Sequence, residues 1–383
     1  MASDLALDDR TLLVELQSLG VRVEDEDGGA MPARRGGAGP SDALFLWVRG
    51  LPLTVPRHAG FVDRSPYTLR VHDGSARLYR AGELVGPVKV PRRPRIYDLA
   101  TADGIPYWKI ALLHLDSIAS TVVQKCIYWG THEQCAFCGI ELTRGEQTIP
   151  VKTPAQLAEV CTAARDMDGA VDVTLTTGSI NRRDRGALYI SRCAAAIKEA
   201  SGLPIQVQFE PPDDLGVLEH VCDSGVDAVG IHIETFDPDV LAAVAAGKAQ
   251  CGVEGYFRCW ERAVEVFGRG SVTTYVILGM GERPELIEAG CRRAIELGVY
   301  PFVVPLRPVP GTPLGDAEAP DPEYVAGIYR SVSAMLAEAG LDHVQAKAGC
   351  ARCQACSGLS AWERIFRREN GDGLLGLPVV QSA

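Results

Sequence analysis

The sequence predicts an α/β protein, a partial (β/α)6 parallel barrel with a small mostly-β N-terminal appendage and a Cys-rich C-terminal tail. Three observations carry this expectation. From about residue 110 onward, apolar strand-like runs alternate with amphipathic helical stretches, the pattern of βα units around a parallel sheet. Before that point, short alternating runs are broken by turn residues, as in a small β structure. Near the C-terminal end, "GCARCQACSG" repeats cysteine at every third position. The expected division is an accessory region over 1–108, the barrel over 109–315, and a helix with the CxxCxxC segment over 316–383.

Taken in order, residues 9 to 19 read as a short helix. The glycine-rich "EDEDGGAMPARRGGAGPSD" sustains neither period and reads as a loop. Its Arg34 and Arg35 stretch could receive an anionic group at backbone amides, but a mobile loop is the preferred reading and no site residue is assigned there. "ALFLWVRG", "LPLTVPR", "YTLRVHDG" and "ARLYRAGELVG" then read as strand-like segments with turn residues such as "HDG" between them. The barrel strands are expected in "IASTVVQ", "VDVTLTT", "IQVQFE", "DAVGIHIE", "VTTYVILG" and "PFVVPLRP". Helix starts are marked by Thr153 with Pro154, by Asp213, and by Pro284. Six βα units in series fit a partial barrel better than an open doubly wound sheet. In both, the loops after the strands form the functional face.

Composition narrows the partners. A chain of 383 residues buries a sizeable core without difficulty, and its 40 Gly and 24 Pro fall mostly between periodic segments as turn punctuation. A formal net charge of −11 opposes non-specific attraction to nucleic acid or an anionic membrane, so a small-molecule substrate is expected. The N-terminal residues lack a basic start and an apolar core of signal-peptide length, and no apolar run is long enough to span a bilayer. A cytoplasmic location is the expectation, and with it twelve reduced cysteines. Cys161, Cys193, Cys222, Cys251, Cys259 and Cys291 are scattered and read as small packed hydrophobes.

The other six form two groups. In "KCIYWGTHEQCAFCG", Cys126, Cys135 and Cys138 sit on the loop after the first barrel strand. Three thiolates on one loop can hold zinc or an iron–sulfur cluster; zinc would take His132 as a fourth ligand. Cys350, Cys353 and Cys356 match the first three positions of a ferredoxin-type ligand run, and the fourth cysteine is absent. An auxiliary iron–sulfur cluster is the preferred reading, with zinc held by His343 as its competitor.

These residues resemble the radical S-adenosylmethionine (radical SAM) enzymes, in which three cysteines after the first barrel strand hold a 4Fe-4S cluster behind an aromatic residue. Phe137 before Cys138 matches that ending, while the usual three-residue gap between the first two cysteines is eight residues here. "LTTGSINRRD" is similar to the lipoyl synthase segment that holds the methionine amino group, which implies that role for Thr177, Gly178 and Ser179; a tight strand-to-helix turn is the structural alternative. "GIHIETFDPDVL" resembles the fourth-strand segment of lipoyl and biotin synthases and implies that Glu234 accepts ribose hydroxyls. "YVILGMGERPE" resembles their fifth-strand segment, with Gly279 and Gly281 against the adenine and Glu282 anchoring the turn, or simply initiating the helix at Pro284. "PFVVPLRPVPGTPL" resembles the sixth strand, with Arg307 at the open end, where a solvated arginine fits equally.

The resemblance implies reductive cleavage of S-adenosylmethionine at the 4Fe-4S cluster and hydrogen abstraction by a 5'-deoxyadenosyl radical. It implies Cys126, Cys135 and Cys138 as the catalytic, metal-holding set, and an electron donor such as flavodoxin or ferredoxin. The whole-chain pattern, with its long cysteine gap, "RRGGAGP" loop and cysteine-rich tail, is most similar to a bacterial radical SAM family associated with nitrilase gene clusters, which implies a small, nitrogen-containing metabolite. The competing expectation is a zinc-stabilised small-molecule binding protein without radical chemistry.

Overall fold

The structure, a computed structural model, describes residues 8–25, 38, 43–72, 75–142 and 146–369, the last five by backbone alone. The Arg34 and Arg35 stretch and the tip of the "HDG" turn lie outside the described residues. The first described element is α1 (Asp9–Leu19), capped by the Asp8 carboxylate on the Arg10 amide. Strands β1 (Arg22–Asp25), β2 (Ala43–Val48), β3 (Leu51–Pro56), β4 (Tyr67–His72), β5 (Ser75–Arg80) and β6 (Glu83–Lys89) follow. They form one sheet in the order β1-β4-β5-β6-β2-β3, antiparallel except for the parallel β1–β4 pair. The run "ARLYRAGELVG" is a hairpin of two strands, because Ala81 and Gly82 both take positive φ (49° and 88°) and turn the chain in two residues.

The second sheet has seven strands. β7 (Leu112–His114) and β8 (Ser117–Thr121) form a hairpin, then α2 (Pro154–Asp168), β9 (Asp172–Thr176), α3 (Ala187–Ser201), β10 (Ile205–Gln208), α4 (Val217–Asp223) and β11 (Ala228–Gly230) alternate. After α5 (Pro238–Val244), α6 (Ala246–Ala249) and α7 (Gly252–Phe267) come β12 (Val272–Leu278), α8 (Pro284–Leu297) and β13 (Val299–Pro305). The sheet order is β13-β12-β11-β10-β9-β8-β7, so the six strands β8–β13 are parallel and sequential, as expected, with β7 added as an antiparallel edge. Thr153 caps α2 through a reciprocal capping box with Gln156, confirming the start signal read there. Strand interiors are Val, Ile and Leu buried against the helices, and Cys161, Cys193, Cys259 and Cys291 are buried in this core while Cys222 and Cys251 are half-buried.

The last part of the chain returns to the barrel. α9 (Pro322–Glu338) leads to a short 3-10 turn at His343–Gln345, then to α10 (Cys350–Cys353) and α11 (Leu359–Glu369). Ser357 donates to the Val303 carbonyl of β13, and Cys353 lies against His114 of β7. This segment therefore bridges the two edge strands that an incomplete barrel leaves apart. Thr54 of β3 donates its amide to Ala355 (2.7 Å), joining the N-terminal sheet to the same segment. Among the described residues, no helix is long and apolar enough to cross a membrane.

Candidate active site

The first cysteine group is fixed by backbone pairing that runs on beyond β8 and β9. The Val122 amide donates to Thr176 (2.8 Å), Gly178 to Val123 (3.0 Å) and Ile127 to Ser179 (2.8 Å). Thr177, Gly178 and Ser179 thus form a shelf under Cys126. A side chain at 178 has no room: a Cβ there would stand 1.9 Å from the Lys125 carbonyl oxygen. Gly178→Ala is expected to cost at least about 3 kcal/mol, the upper end of overpacking, because the clashing Lys125 atoms are backbone and cannot rotate away. A denaturant midpoint unchanged from the native chain would refute that account.

The eight-residue gap folds into turns around buried Tyr128, whose hydroxyl receives a hydrogen bond from Arg185 Nη1 (2.6 Å). Cys126 donates its amide to Glu141 Oε1 (2.9 Å), and Ala136 pairs with both Val244 (2.7 Å) and Leu314 (2.9 Å). These bonds return Cys135 and Cys138 to the barrel mouth despite the long excursion, with Phe137 packed on the core. His132 faces outward and is exposed. Among the described residues, no three His, Cys, Asp or Glu side chains converge tightly enough to hold one metal ion.

Lys248, buried on α6, donates to the His232 carbonyl (2.9 Å) and to Glu234 Oε1 (2.8 Å). Burial pushes the Cys126 and Cys135 thiols up and Cys138 to about 11, while the Lys248 charge pulls against it. Buried thiols with one cation nearby suit iron, whose positive charge would favour the thiolates that burial opposes. Glu234 itself sits at φ 74°, a conformation rare outside glycine, held by amide and carbonyl bonds to Tyr275 and Ile277 of β12. Its carboxylate is directed to Lys248, a partner that the sequence offered no period or motif to find.

Gly279 and Gly281 lie at φ 101° and 96° after β12. Glu282 accepts from the Gly279 amide (2.7 Å), the Met280 amide (2.8 Å) and the Tyr324 hydroxyl (2.8 Å), so the carboxylate ties this turn to α9. Arg307 follows β13; its Nη1 is enclosed without a partner, and its charge acts on Cys356, Tyr275 and Tyr329. This is not a solvated arginine, and its surroundings include the second cysteine group.

That second group lies at the opposite, N-terminal end of the strands. Gly349 donates to Asp172 Oδ2 (2.7 Å) at the first residue of β9, at φ 87°, where a Cβ would stand 2.1 Å from Gln206 Oε1. Arg352, between two of the cysteines, donates to Asp172 (2.9 Å) and to Asp116 in the β7–β8 turn (2.6 Å). Gln208 Nε2 donates to Cys350 Sγ (3.4 Å), Thr54 Oγ1 lies 3.7 Å from Cys356 Sγ, and His114 Nδ1 and Nε2 lie 3.7 Å from Cys353 and Cys356 Sγ. Burial opposes the Cys356 thiolate, yet His114, Arg307 and Thr54 together bring its pKa below the usual thiol range. His343, the expected zinc partner here, is a correction: its Nδ1 is 2.7 Å from Glu363 Oε2, in a buried set with Tyr300. The packing of α11 against the 3-10 turn commits that ring to a carboxylate.

Between the two groups lies the barrel interior. His232 Nδ1 accepts from the Tyr275 amide (3.1 Å), its Nε2 has no partner, and its ring meets Tyr275 edge-on at 4.8 Å. Burial, with the Lys248 charge, holds this imidazole down to about 3, so it is neutral at physiological pH. The unfolded chain takes up that proton near about 6.5 and the folded chain does not, so stability is lost as pH falls from there toward about 3. The loss is at most about 1.4 kcal/mol per pH unit. His232→Gln is expected to flatten the acid limb of a stability–pH profile relative to the native chain; parallel profiles would contradict it.

Residues 130–289 match the family model described as the radical SAM superfamily. These residues thus form a radical SAM superfamily domain, which indicates an enzyme; that superfamily implies a 4Fe-4S cluster and S-adenosylmethionine, with a substrate and a reductant. The chain is 24% identical over 318 residues to the bacteriochlorophyllide c C-7(1)-hydroxylase of Chlorobaculum limnaeum, covering 77% of this chain and 79% of that one. Among solved structures it is similar to methylornithine synthase (TM-score 0.46, 18% identity), covering 58% of this chain and 62% of that one. The hydrogenase maturase HydG of Carboxydothermus hydrogenoformans is also similar (TM-score 0.43, 18% identity; 56% of this chain, 49% of that one). The match thus spans less than two thirds of either enzyme's own length. The family match sets aside the expectation of a zinc-stabilised binding protein without radical chemistry.

Proposed function

We propose that Cys126, Cys135 and Cys138 hold the 4Fe-4S cluster, that Cys350, Cys353 and Cys356 hold a second iron–sulfur cluster, and that a small, nitrogen-containing metabolite is oxidised in the barrel between them. Cys126, Cys135 and Cys138 would hold the group that supplies one-electron reductive cleavage of S-adenosylmethionine, with the electron drawn from a flavodoxin or ferredoxin, and Cys350, Cys353 and Cys356 would hold an electron acceptor for the oxidised substrate. The observation that carries this reading is the run from Lys248, which donates to the His232 carbonyl, through the His232 ring set edge-on against Tyr275, to Cys350, which joins the surroundings of the two thiol groups.

Each residue has a task in this reading. Thr177, Gly178, Ser179, Glu234, Gly279, Gly281 and Glu282 hold the nucleoside and the methionine part, with Lys248 fixing the Glu234 carboxylate. His232 Nε2, neutral and unpartnered, offers a hydrogen bond to the substrate, and Arg307 offers a charge to an anionic group on it. Radical chemistry of this kind needs a site that keeps water from a reactive carbon and holds one C–H bond in line. Oxidation is favoured among the possible outcomes by the similarity to a hydroxylase.

The test is iron and sulfide content with electron paramagnetic resonance after anaerobic reconstitution, with and without S-adenosylmethionine. The native chain is compared with a Cys350→Ala, Cys353→Ala, Cys356→Ala variant. The variant is expected to lose iron and keep a reduced signal that responds to S-adenosylmethionine. Equal iron in both chains would remove the second cluster, and a signal indifferent to S-adenosylmethionine would remove the assignment of the first.

A further inference from the structure

We infer that His114 is the fourth protein ligand of the metal centre at Cys350, Cys353 and Cys356. The inference rests on the second-cluster reading above and names the group that the cysteine run lacks.

Three thiolates leave one coordination position to another group. The side chains outside the run with a relation to its sulfurs include Gln208, Thr54, Tyr275, Tyr329, Arg307, Asp172 and His114, and the Asp172 carboxylate is already held by Arg352 and the Gly349 amide. A guanidinium has no lone pair to give, an amide nitrogen and a neutral alcohol are weak donors, and a phenol is protonated at physiological pH. Imidazole is a common metal ligand in its neutral form and is found on iron–sulfur clusters.

The geometry sets the imidazole ring beside two of the three sulfurs, so that either ring nitrogen could serve as the ligand. His114 Nδ1 is 3.7 Å from Cys353 Sγ and Nε2 is 3.7 Å from Cys356 Sγ. A buried histidine kept for packing normally satisfies its nitrogens with carbonyls, carboxylates or hydroxyls. Here both ring nitrogens face sulfur, and the residue is only 7% exposed.

The position is also built. His114 ends β7 and pairs with Ser117 across a two-residue turn made by Leu115 and Asp116. Arg352 holds the Asp116 carboxylate of that turn from the very helix that carries Cys350 and Cys353. Phe45 of β2 meets the ring edge-on at 4.1 Å. Ligand and cysteines come from segments more than two hundred residues apart, yet one ion pair fixes their relative placement. Such support is what holds a metal ligand in orientation.

The experiment uses the full chain carrying Cys126→Ala, Cys135→Ala and Cys138→Ala, so that only the second centre reports. It is reconstituted with iron and sulfide, reduced, and read by pulsed electron paramagnetic resonance with ordinary and with 15N-labelled histidine. A strong nitrogen coupling that changes with the label, and disappears in a further His114→Cys variant that keeps its iron, is the expected result. The potential of the His114→Cys centre is expected to be more negative, since thiolate replaces imidazole. A cluster without nitrogen coupling would overturn the His114 assignment and leave the second cluster standing. A chain that binds no iron, or zinc alone, would overturn the second cluster and this inference with it. The coupling is read with His114 in place, so a poorly folding variant does not decide the outcome.

Discussion

Cys138→Ala is expected to abolish formation of 5'-deoxyadenosine from S-adenosylmethionine while leaving iron bound at the C-terminal cysteines. Loss of a group that only supports a metal ligand costs about 10- to 100-fold, so loss of a ligand should exceed about 100-fold. Lys248→Met gives the contrasting case. Its ammonium touches no cysteine directly and acts through Glu234 and by charge on the three thiols. That variant is expected to keep its cluster iron and lose about 10- to 100-fold in S-adenosylmethionine cleavage, the size of an outer-shell loss. The measurement is deoxyadenosine released per chain in the presence of dithionite, alongside iron content. Wild-type turnover in Cys138→Ala would end the assignment of the first group.

Arg352→Met is expected to be the most destabilising single change outside the barrel mouth. The guanidinium lies between Asp116 and fully buried Asp172, and Asp172 accepts the Gly349 amide as well. Burial pushes the Asp172 carboxyl up and the Arg352 charge pulls it back, so removing the cation leaves a buried charge without compensation. Breaking such a pair from one side costs about 3 to 5 kcal/mol. A chain with Arg352→Met, Asp116→Asn and Asp172→Asn together should recover much of that loss. Exposed pairs such as Arg293 with Glu254 should cost under about 1 kcal/mol when broken. Denaturant midpoints for these chains decide the point, and an Arg352→Met midpoint equal to the Arg293→Met midpoint would overturn it. Iron at the C-terminal site should fall with the midpoint, since the same residue positions the helix of Cys350 and Cys353.

Much of the architecture was legible in the residues because it is periodic. Alternation of apolar runs with helices marked by Thr153, Pro154 and Pro284 specifies six parallel strands, and the structure has them in sequential order. The hairpin at Ala81 and Gly82 is not marked as two strands by composition, since its turn depends on positive φ at an alanine. Both cysteine groups were visible as spacings, and Phe137, Gly178 and Glu282 as motif positions.

What surrounds those groups was not. His114, Lys248, His232 and Arg352 each lie far along the chain from what they touch, and no period or spacing links His114 to Cys353 or Asp172 to Arg352. His343 is near in sequence to the second cysteine group but is bound to Glu363. The sequence by itself determined the secondary elements, their parallel order and the spacing of the thiol groups, because these depend on local propensity and on residue type. Only the tertiary structure decided that the C-terminal segment bridges the barrel edges and which distant groups meet the sulfurs. Those contacts follow from how the sheet curls and which buried charges find partners, and both depend on the whole chain being packed at once.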